Sequence, residues 1–208
     1  MSHALRVLLV GYNGTLGRAV ATELGARHKI ISAGRKNADV ILDLTDPVTI
    51  REGLEKAGKL DAVVSAAGEV AYSPLAEIQP APFGESLYTL GLASKLLGQV
   101  NLVLAARELL RDRGSITLTA GILSERPIAA GSSASMVNGA LESFVRAAAI
   151  ELPRGLRINV VSPTILTESM PQYASFFRGF EPVPASRAAL AYSRSVEGLE
   201  TGQVFRVY

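Results

Sequence analysis

The first chemistry the sequence offers is phosphate binding. Gly11, Tyr12, Asn13, Gly14, Thr15, Leu16 and Gly17 follow directly on the apolar run Val7–Val10 and open onto a helical pattern. Glycines at G-x-x-G-x-x-G spacing let the backbone approach a pyrophosphate closely, while the N–H groups and dipole of a helix N-terminus offset its charge. All seven residues are therefore candidate dinucleotide contacts. A second apolar run, Ile30–Ala33, ends in Gly34-Arg35-Lys36. An acidic residue here would hold the ribose 2′-hydroxyl of NAD, whereas Arg or Lys accommodates the 2′-phosphate of NADP. Charge-assisted contacts of this kind are worth about 1.5–3 kcal/mol each, enough to decide between the two, and the sequence points to NADP(H). The plainer reading is a tight turn without ligand, flanked by solvated cations.

Other chemistries are thinly supplied. The chain has no Cys, which removes thiolate metal sites, disulfides and a Cys nucleophile. Its only histidines are His3 and His28, both read as plain surface residues, so no metal site is expected. A net charge of +2 gives no nucleic-acid footprint. No apolar run reaches the roughly 18 residues of a membrane span, and Met1–Arg6 lacks a signal-peptide layout. The expectation is a cytoplasmic protein with a small-molecule substrate and no nucleic-acid or membrane partner.

Short β-branched runs alternate with helical patterns throughout the chain. Val7–Val10, Ile30–Ala33, Val40–Leu42, Ala62–Ser65, Ser115–Thr119, Arg157–Val161 and Gln203–Val207 read as seven strands. Helices are expected over Thr15–Ala26, Val48–Ala57, Gly84–Arg111, Ser132–Glu151, Pro171–Arg178 and Pro184–Val196, with Pro47 and Pro184 in first turns and Gly114 and Gly155 at helix ends. Strands that are apolar throughout indicate a sheet covered on both faces. The fold class is α/β: a doubly wound, mainly parallel sheet of about seven strands, a Rossmann fold, forming one domain over residues 1–208. Only about five residues separate the second and third strands, too few for a crossover helix, so the third is expected to be a short edge piece. Ligands in such a sheet bind at the carboxyl ends of the strands.

Further landmarks lie at those ends. Asp43-Leu44 follows the third strand, Ser65-Ala66-Ala67-Gly68 the fourth, and Arg157-Ile158-Asn159-Val160-Val161-Ser162-Pro163 forms the sixth and its exit. Together with the glycine turn, these resemble the short-chain dehydrogenase/reductase superfamily over almost the whole chain. The resemblance implies that Asp43 and Leu44 lie by the adenine and that Ala66, Ala67 and Gly68 support the cofactor. It also implies that Pro163, Thr164 and Thr167 approach the nicotinamide side. Thr164 stands where the family has Gly, and Thr167 is one place short, with Glu168 in register.

The family's catalytic set is Asn, Ser, Tyr and Lys, with Tyr and Lys four apart on one helix. Threading this chain puts Ala134 at the Tyr position, Asn138 at the Lys position, and Ala120 or Gly121 at the Ser position. Lys95 falls where the family has Asn, so Lys and Asn look exchanged. On this resemblance Lys95 carries the role of the missing Lys, as cofactor ligand and electrostatic catalyst, with Asn138 and Thr119 as the other catalytic candidates; Thr119, Ser132, Ser133, Ser135 and Tyr173 are the groups available to supply a proton. Ser132 or Ser133 can instead cap the long helix. A lid-like segment at about 168–185 carries Tyr173, Phe176, Phe177 and Phe180. The implied function is an NADP(H)-dependent oxidoreductase of atypical active site acting on a small carbonyl or alcohol. The alternative is a non-catalytic NADP(H)-binding sensor or regulatory protein. Small-residue faces on the two long helices (Ala140, Phe144 and Ala147 to Ala149) suggest a homodimer or homotetramer.

Overall fold

The computed structural model describes residues 4–208; His3 and the start of the Met1–Arg6 segment lie outside them. Seven strands, β1 (Arg6–Val10), β2 (Lys29–Gly34), β3 (Val40–Ile41), β4 (Leu60–Ser65), β5 (Leu110–Thr119), β6 (Arg157–Pro163) and β7 (Val204–Val207), form one sheet. Its order is β3-β2-β1-β4-β5-β6-β7, with every pair parallel. Helices α1 (Thr15–Gly25), α2 (Pro47–Ala57), α3 (Tyr88–Leu90), α4 (Gly98–Leu109), α5 (Ser132–Glu151), α6 (Met170–Tyr173) and α7 (Ala185–Glu197) connect them.

Alternation along the strands sorts side chains onto two faces. Leu8, Val10, Val63, Ile116, Leu118 and Val160 join a core with residues of α2, α4 and α5. Val7, Leu9, Val64 and Val161 join another with residues of α1 and α7. Both faces are covered, which is why the strands read as unbroken apolar runs. Asp46 caps α2, its carboxylate accepting from Val48 N at 2.9 Å, and Pro47 follows in the first turn.

The short β2–β3 connection is possible because β3 pairs only with Ala33 and Gly34 before leaving the sheet. Asp39 completes the join: its carboxylate accepts from Ser32 N at 2.9 Å and Ser32 Oγ at 2.7 Å. A side chain thus replaces a ladder bond that no backbone reaches, and those two bonds hold the Asp39 carboxyl below its ordinary range.

Several expectations shift. Gly114 lies inside β5, not at a helix end, where β5 slips register against β4; a Cβ there would stand 2.9 Å from Asp61 O. Pro184 is the N-cap of α7, one place before the first turn. The third helix starts at Tyr88 rather than Gly84, and Leu110 already belongs to β5. By length and composition the run Tyr88–Leu109 is apolar enough to cross a membrane, which individual apolar runs did not reveal. Here Leu102, Val103 and Ala106 of that run pack into the domain core. The Pro171–Arg178 helix shrinks to the single turn of α6.

What matters for function is the carboxyl edge. Val10 is in register with both Ala33 and Ser65. Gly11 N donates to Ala33 O at 3.0 Å and Ala66 N to Val10 O at 2.8 Å, so the exits of β2, β1 and β4 leave side by side. Strand order reverses at β1 and β4, the crevice where this class of sheet takes ligands.

Candidate active site

The glycine turn is built by close backbone approach. Gly11 has φ +83°, and a Cβ there would stand 2.8 Å from the Ala66 carbonyl. A Cβ on Gly17 would sit 2.0 Å from Gly11 O, so only glycine lets α1 lie this close to the end of β1. Gly14 is the N-cap of α1. Asn13 ties the turn to the β2 exit, its Nδ2 donating to Lys36 O at 3.0 Å and Asn37 O at 3.2 Å.

These residues border a cavity of about 420 Å³ lined by Gly11, Asn13 and Gly14, by Arg35 and Lys36, and by Asp43, Leu44 and the Ala66–Gly68 turn. Tyr12, Thr15, Leu16 and Gly17 are not among the lining residues; Tyr12 and Leu16 pack against the core that includes residues of α1 and α7. Asp43 Oδ1 accepts from Thr45 N and Thr45 Oγ1, both at 2.8 Å, which holds its carboxyl below the ordinary range. Arg35 Nη2 meets Glu69 Oε1 at 2.8 Å.

A second cavity, of about 470 Å³, adjoins the first through Gly68, Glu69 and Leu90, which line both. Lys95 and Asn138 form part of its wall. Lys95 sits in a π-helical segment, Gly91–Leu97, between α3 and α4. Such widened turns re-aim side chains and gather at functional sites. Gly68 (φ +135°) makes room: a Cβ there would lie 2.7 Å from Lys95 Cγ. Lys95 Nζ donates to Ala120 O at 3.1 Å, and among the described residues no carboxylate pairs with it. Part of Lys95 stays accessible because it lines the cavity, while the surrounding elements enclose it; that burial pushes its ammonium down to about 8.

Asn138, on α5, is 2% exposed, and its Oδ1 has no hydrogen-bond partner. Lys95 and Asn138 therefore share one cavity without bonding each other at that oxygen. Thr164 Oγ1, 4% exposed on the wall between Pro163 and Ile165, is likewise unpartnered. The outer wall is aromatic. The Tyr72 and Tyr173 rings lie 6.0 Å apart between centroids, tilted by 48°, Phe176 lies 5.9 Å from Tyr72, and Phe177 also lines the cavity. Burial, with Tyr173 beside it, raises the Tyr72 phenol above its ordinary value.

Some expected site residues lie elsewhere. Thr119 is buried and turned away: its hydroxyl donates to Ser65 O and meets Tyr192 Oη at 2.6 Å. It faces α7 because it alternates with Leu118, whose side chain occupies the opposite core. Thr167 is exposed, with its backbone N donating to Val183 O. Glu168 beside it caps α7, accepting from Ala185 N at 3.0 Å. Ser132 meets Tyr88 Oη at 3.1 Å, and neither it nor Ser133 caps α5, whose N-cap is Gly131. The His28 ring is covered rather than superficial, accepting from Leu5 N at 3.3 Å and lying 3.0 Å from Glu197 Oε1.

Glu69, Tyr72 and Ser94 were missed. Ser94 Oγ accepts from Glu69 N at 3.1 Å and so fixes the loop between the cavities. The available signal was position: Glu69-Val70-Ala71-Tyr72 leaves a central strand at the sheet's carboxyl edge, where any charged or aromatic side chain faces the crevice.

Known proteins align with this geometry. A family model described as enoyl-(acyl carrier protein) reductase matches residues 5–204. L-xylulose reductase of Homo sapiens is 27% identical over 183 residues, covering 80% of this chain and 74% of that protein. The Mesocricetus auratus enzyme is 26% identical over 181 residues, covering 79% and 73%. The crystal structure of the protein lin1944 from Listeria innocua superposes with TM-score 0.94 at 47% identity, over 99% of this chain and all of that one. A small-chain dehydrogenase solved in complex with NADPH shares the fold at TM-score 0.84 and 22% identity, over 99% and 97% of the two chains. A matched family model spanning nearly the whole chain, on a seven-stranded parallel sheet with a glycine turn at its switch point, places this protein in the short-chain dehydrogenase/reductase superfamily.

Proposed function

We propose that the protein is an NADP(H)-dependent oxidoreductase with an atypical active site, acting on a small carbonyl or alcohol. The observation that carries this reading is the continuity of the two cavities through Gly68 and Glu69, with Arg35 and Lys36 at one end and Lys95 at the other. The residues fit a dinucleotide. The turn around Gly11 and Gly14 is a cradle that side chains would fill, and Asn138 and Thr164, which line the far cavity, each carry a buried polar atom without a partner.

Backbone N–H groups at the start of α1 would face the diphosphate, and Asp43 and Leu44 would border the adenine. Arg35 and Lys36 supply the charge that a 2′-phosphate needs. When bound, the nicotinamide supplies or accepts the hydride. Lys95, Asn138 and Thr164 orient what enters the far cavity, and Tyr72, Tyr173 and Phe177 exclude water from it. The atypical element of the proposal is Ala134, at the wall where the family pattern has its Tyr; an alanine transfers no proton.

NADPH titration followed by fluorescence, then a screen of carbonyl compounds following NADPH absorbance, tests the proposal. Micromolar NADPH binding with saturable, substrate-dependent oxidation is expected. Binding without turnover would favour the non-catalytic sensor, and absence of binding to NADPH and NADH alike at millimolar concentration would end both readings. We propose further that copies pair through α4 and α5, which leave Leu104 and Ile150 exposed; light scattering on the purified protein reads the mass.

A further inference from the structure

Resting on the oxidoreductase reading above, we propose that Lys95 is the proton donor for the substrate oxygen, in place of a tyrosine. The protic groups near the site narrow quickly. Thr119 is bound to Ser65 and Tyr192 on the other side of the sheet, and Ser132 is held by Tyr88. Ser133 and Ser135 lie outside the cavity lining. On the wall there remain Lys95, Tyr72, Tyr173, Ser169, Thr164 and Asn138.

Among these Lys95 is the one cation, and its single acceptor, Ala120 O, leaves two of its three N–H groups free for a ligand. The titratable groups facing it are few. The β4 exit brings Glu69, whose carboxylate is taken by Arg35, and Tyr72; α6 brings Tyr173. From α5 come Ala134 and Asn138, and the β5 and β6 exits contribute Ala120, Gly121 and Thr164, none of them charged. With no carboxylate to anchor its proton, burial pushes this enclosed ammonium down to about 8, closer to the range in which general acids work best.

The step balances as follows. A C–H bond forms at the carbonyl carbon with the hydride of the reduced nicotinamide, and the carbon–oxygen π pair moves onto oxygen. That oxygen bonds a proton as an N–H bond of Lys95 breaks. The carbonyl is reduced, the nicotinamide is oxidised, and Lys95, left as a neutral amine, regains a proton from solvent at the cavity mouth. Below its transition the ammonium form predominates, so the amine is poised as an acid rather than as a nucleophile.

Two measurements test this. In the ligand-free protein, reductively ¹³C-methylated and followed by NMR, one lysine should titrate near pH 8 and be missing from Lys95→Arg; titration of every lysine near its ordinary value overturns the proposal. In the pH profile of carbonyl reduction, kcat/KM should fall above pH about 8. Lys95→Met should lower it by roughly 10²–10⁴-fold and flatten that limb while NADPH affinity changes by no more than a few-fold. A limb that persists in Lys95→Met but disappears in Tyr72→Phe or Tyr173→Phe overturns the Lys95 assignment and leaves the oxidoreductase reading standing. A wild-type protein that binds NADPH but reduces no carbonyl overturns both.

Discussion

Substituting alanine at each glycine of the turn should separate fold from ligand binding. At Gly17 the added Cβ would stand 2.0 Å from Gly11 O and 2.8 Å from Gly11 C. Ordinary carbon–oxygen contact is near 3.2 Å, so α1 must back away from the β1 end by more than 1 Å, since both partners are backbone and neither can rotate aside. That movement also separates α1 from α7, the helix it packs against beside Leu24 and Val20. Overpacking of this kind costs about 1–3 kcal/mol, which lowers Tm by roughly 2–12 °C in a chain of this size. Gly14 is different: its φ is −75° and a Cβ would meet only Gly11 O, at 3.4 Å. Gly14→Ala should therefore cost at most about 1 kcal/mol, through the poorer N-cap, yet it puts a methyl group into the cavity lining and should weaken NADPH binding at least tenfold. Gly11→Ala combines a strained positive φ with a 2.8 Å clash and should fail on both counts. The assays are differential scanning fluorimetry without ligand and NADPH titration by fluorescence. If Gly14→Ala folds and still binds NADPH like wild type, the turn does not cradle a diphosphate, and the reasoning fails.

Other consequences are direct. Thr119→Val removes a partner from the buried Tyr192 hydroxyl and should cost about 1–3 kcal/mol of stability in urea unfolding without changing NADPH affinity; a loss of turnover at full stability would return Thr119 to the active site. Arg35→Ala should weaken NADPH by roughly ten- to hundredfold and NADH by less than twofold in parallel titrations, and equal losses would sink the 2′-phosphate assignment. Glu69→Gln frees Arg35 from an exposed pair worth about 0.2–1 kcal/mol, so NADPH should bind up to about fivefold tighter. Lys95 also makes stability depend on pH. Its folded value of about 8 lies below its ordinary 10.5, so the unfolded chain holds the proton more tightly between those values. Stability from this group is present above 10.5 and lost as pH falls through 8, and the difference between wild type and Lys95→Met should follow that window.

The strands were legible because their physics is local: β-branched runs covered on both faces leave no alternation to misread, and all seven occur where the sequence places them within a few residues. The first cavity was equally legible, since Gly11, Gly14 and Arg35, at fixed distances from strand ends, line it together. The second was not. Whether Thr119 faces the cavity or α7 depends on strand parity at the end of β5, and one residue decides it. Thr167 depends on how the chain folds after Pro163, where Glu168 is drawn off to cap α7. Ser94 meets Glu69 only because the helix widens over Gly91–Leu97, and no residue in that segment announces a π turn.

Charge placement unites the two cavities. Arg35 and Lys36 stand at one end of the crevice and Lys95 at the other, while the carboxylates nearest them are already engaged: Glu69 by Arg35 and Asp43 by Thr45. At Lys95 the compensation is a single carbonyl oxygen. A buried ammonium kept on so little is costly unless something else shares its field, and Asn138 and Thr164, each with an orphaned polar atom, line the same cavity. A cavity that merely filled space would bury Leu or Met at position 95. Lys95 needs an acceptor whereas Asn138 Oδ1 needs a donor, so a ligand in this aromatic-walled space satisfies them together only if it brings both, as a hydroxyl does. Replacing Lys95, Asn138 and Thr164 with apolar residues of similar size should therefore raise the stability of the empty protein while abolishing its capacity to bind such a ligand.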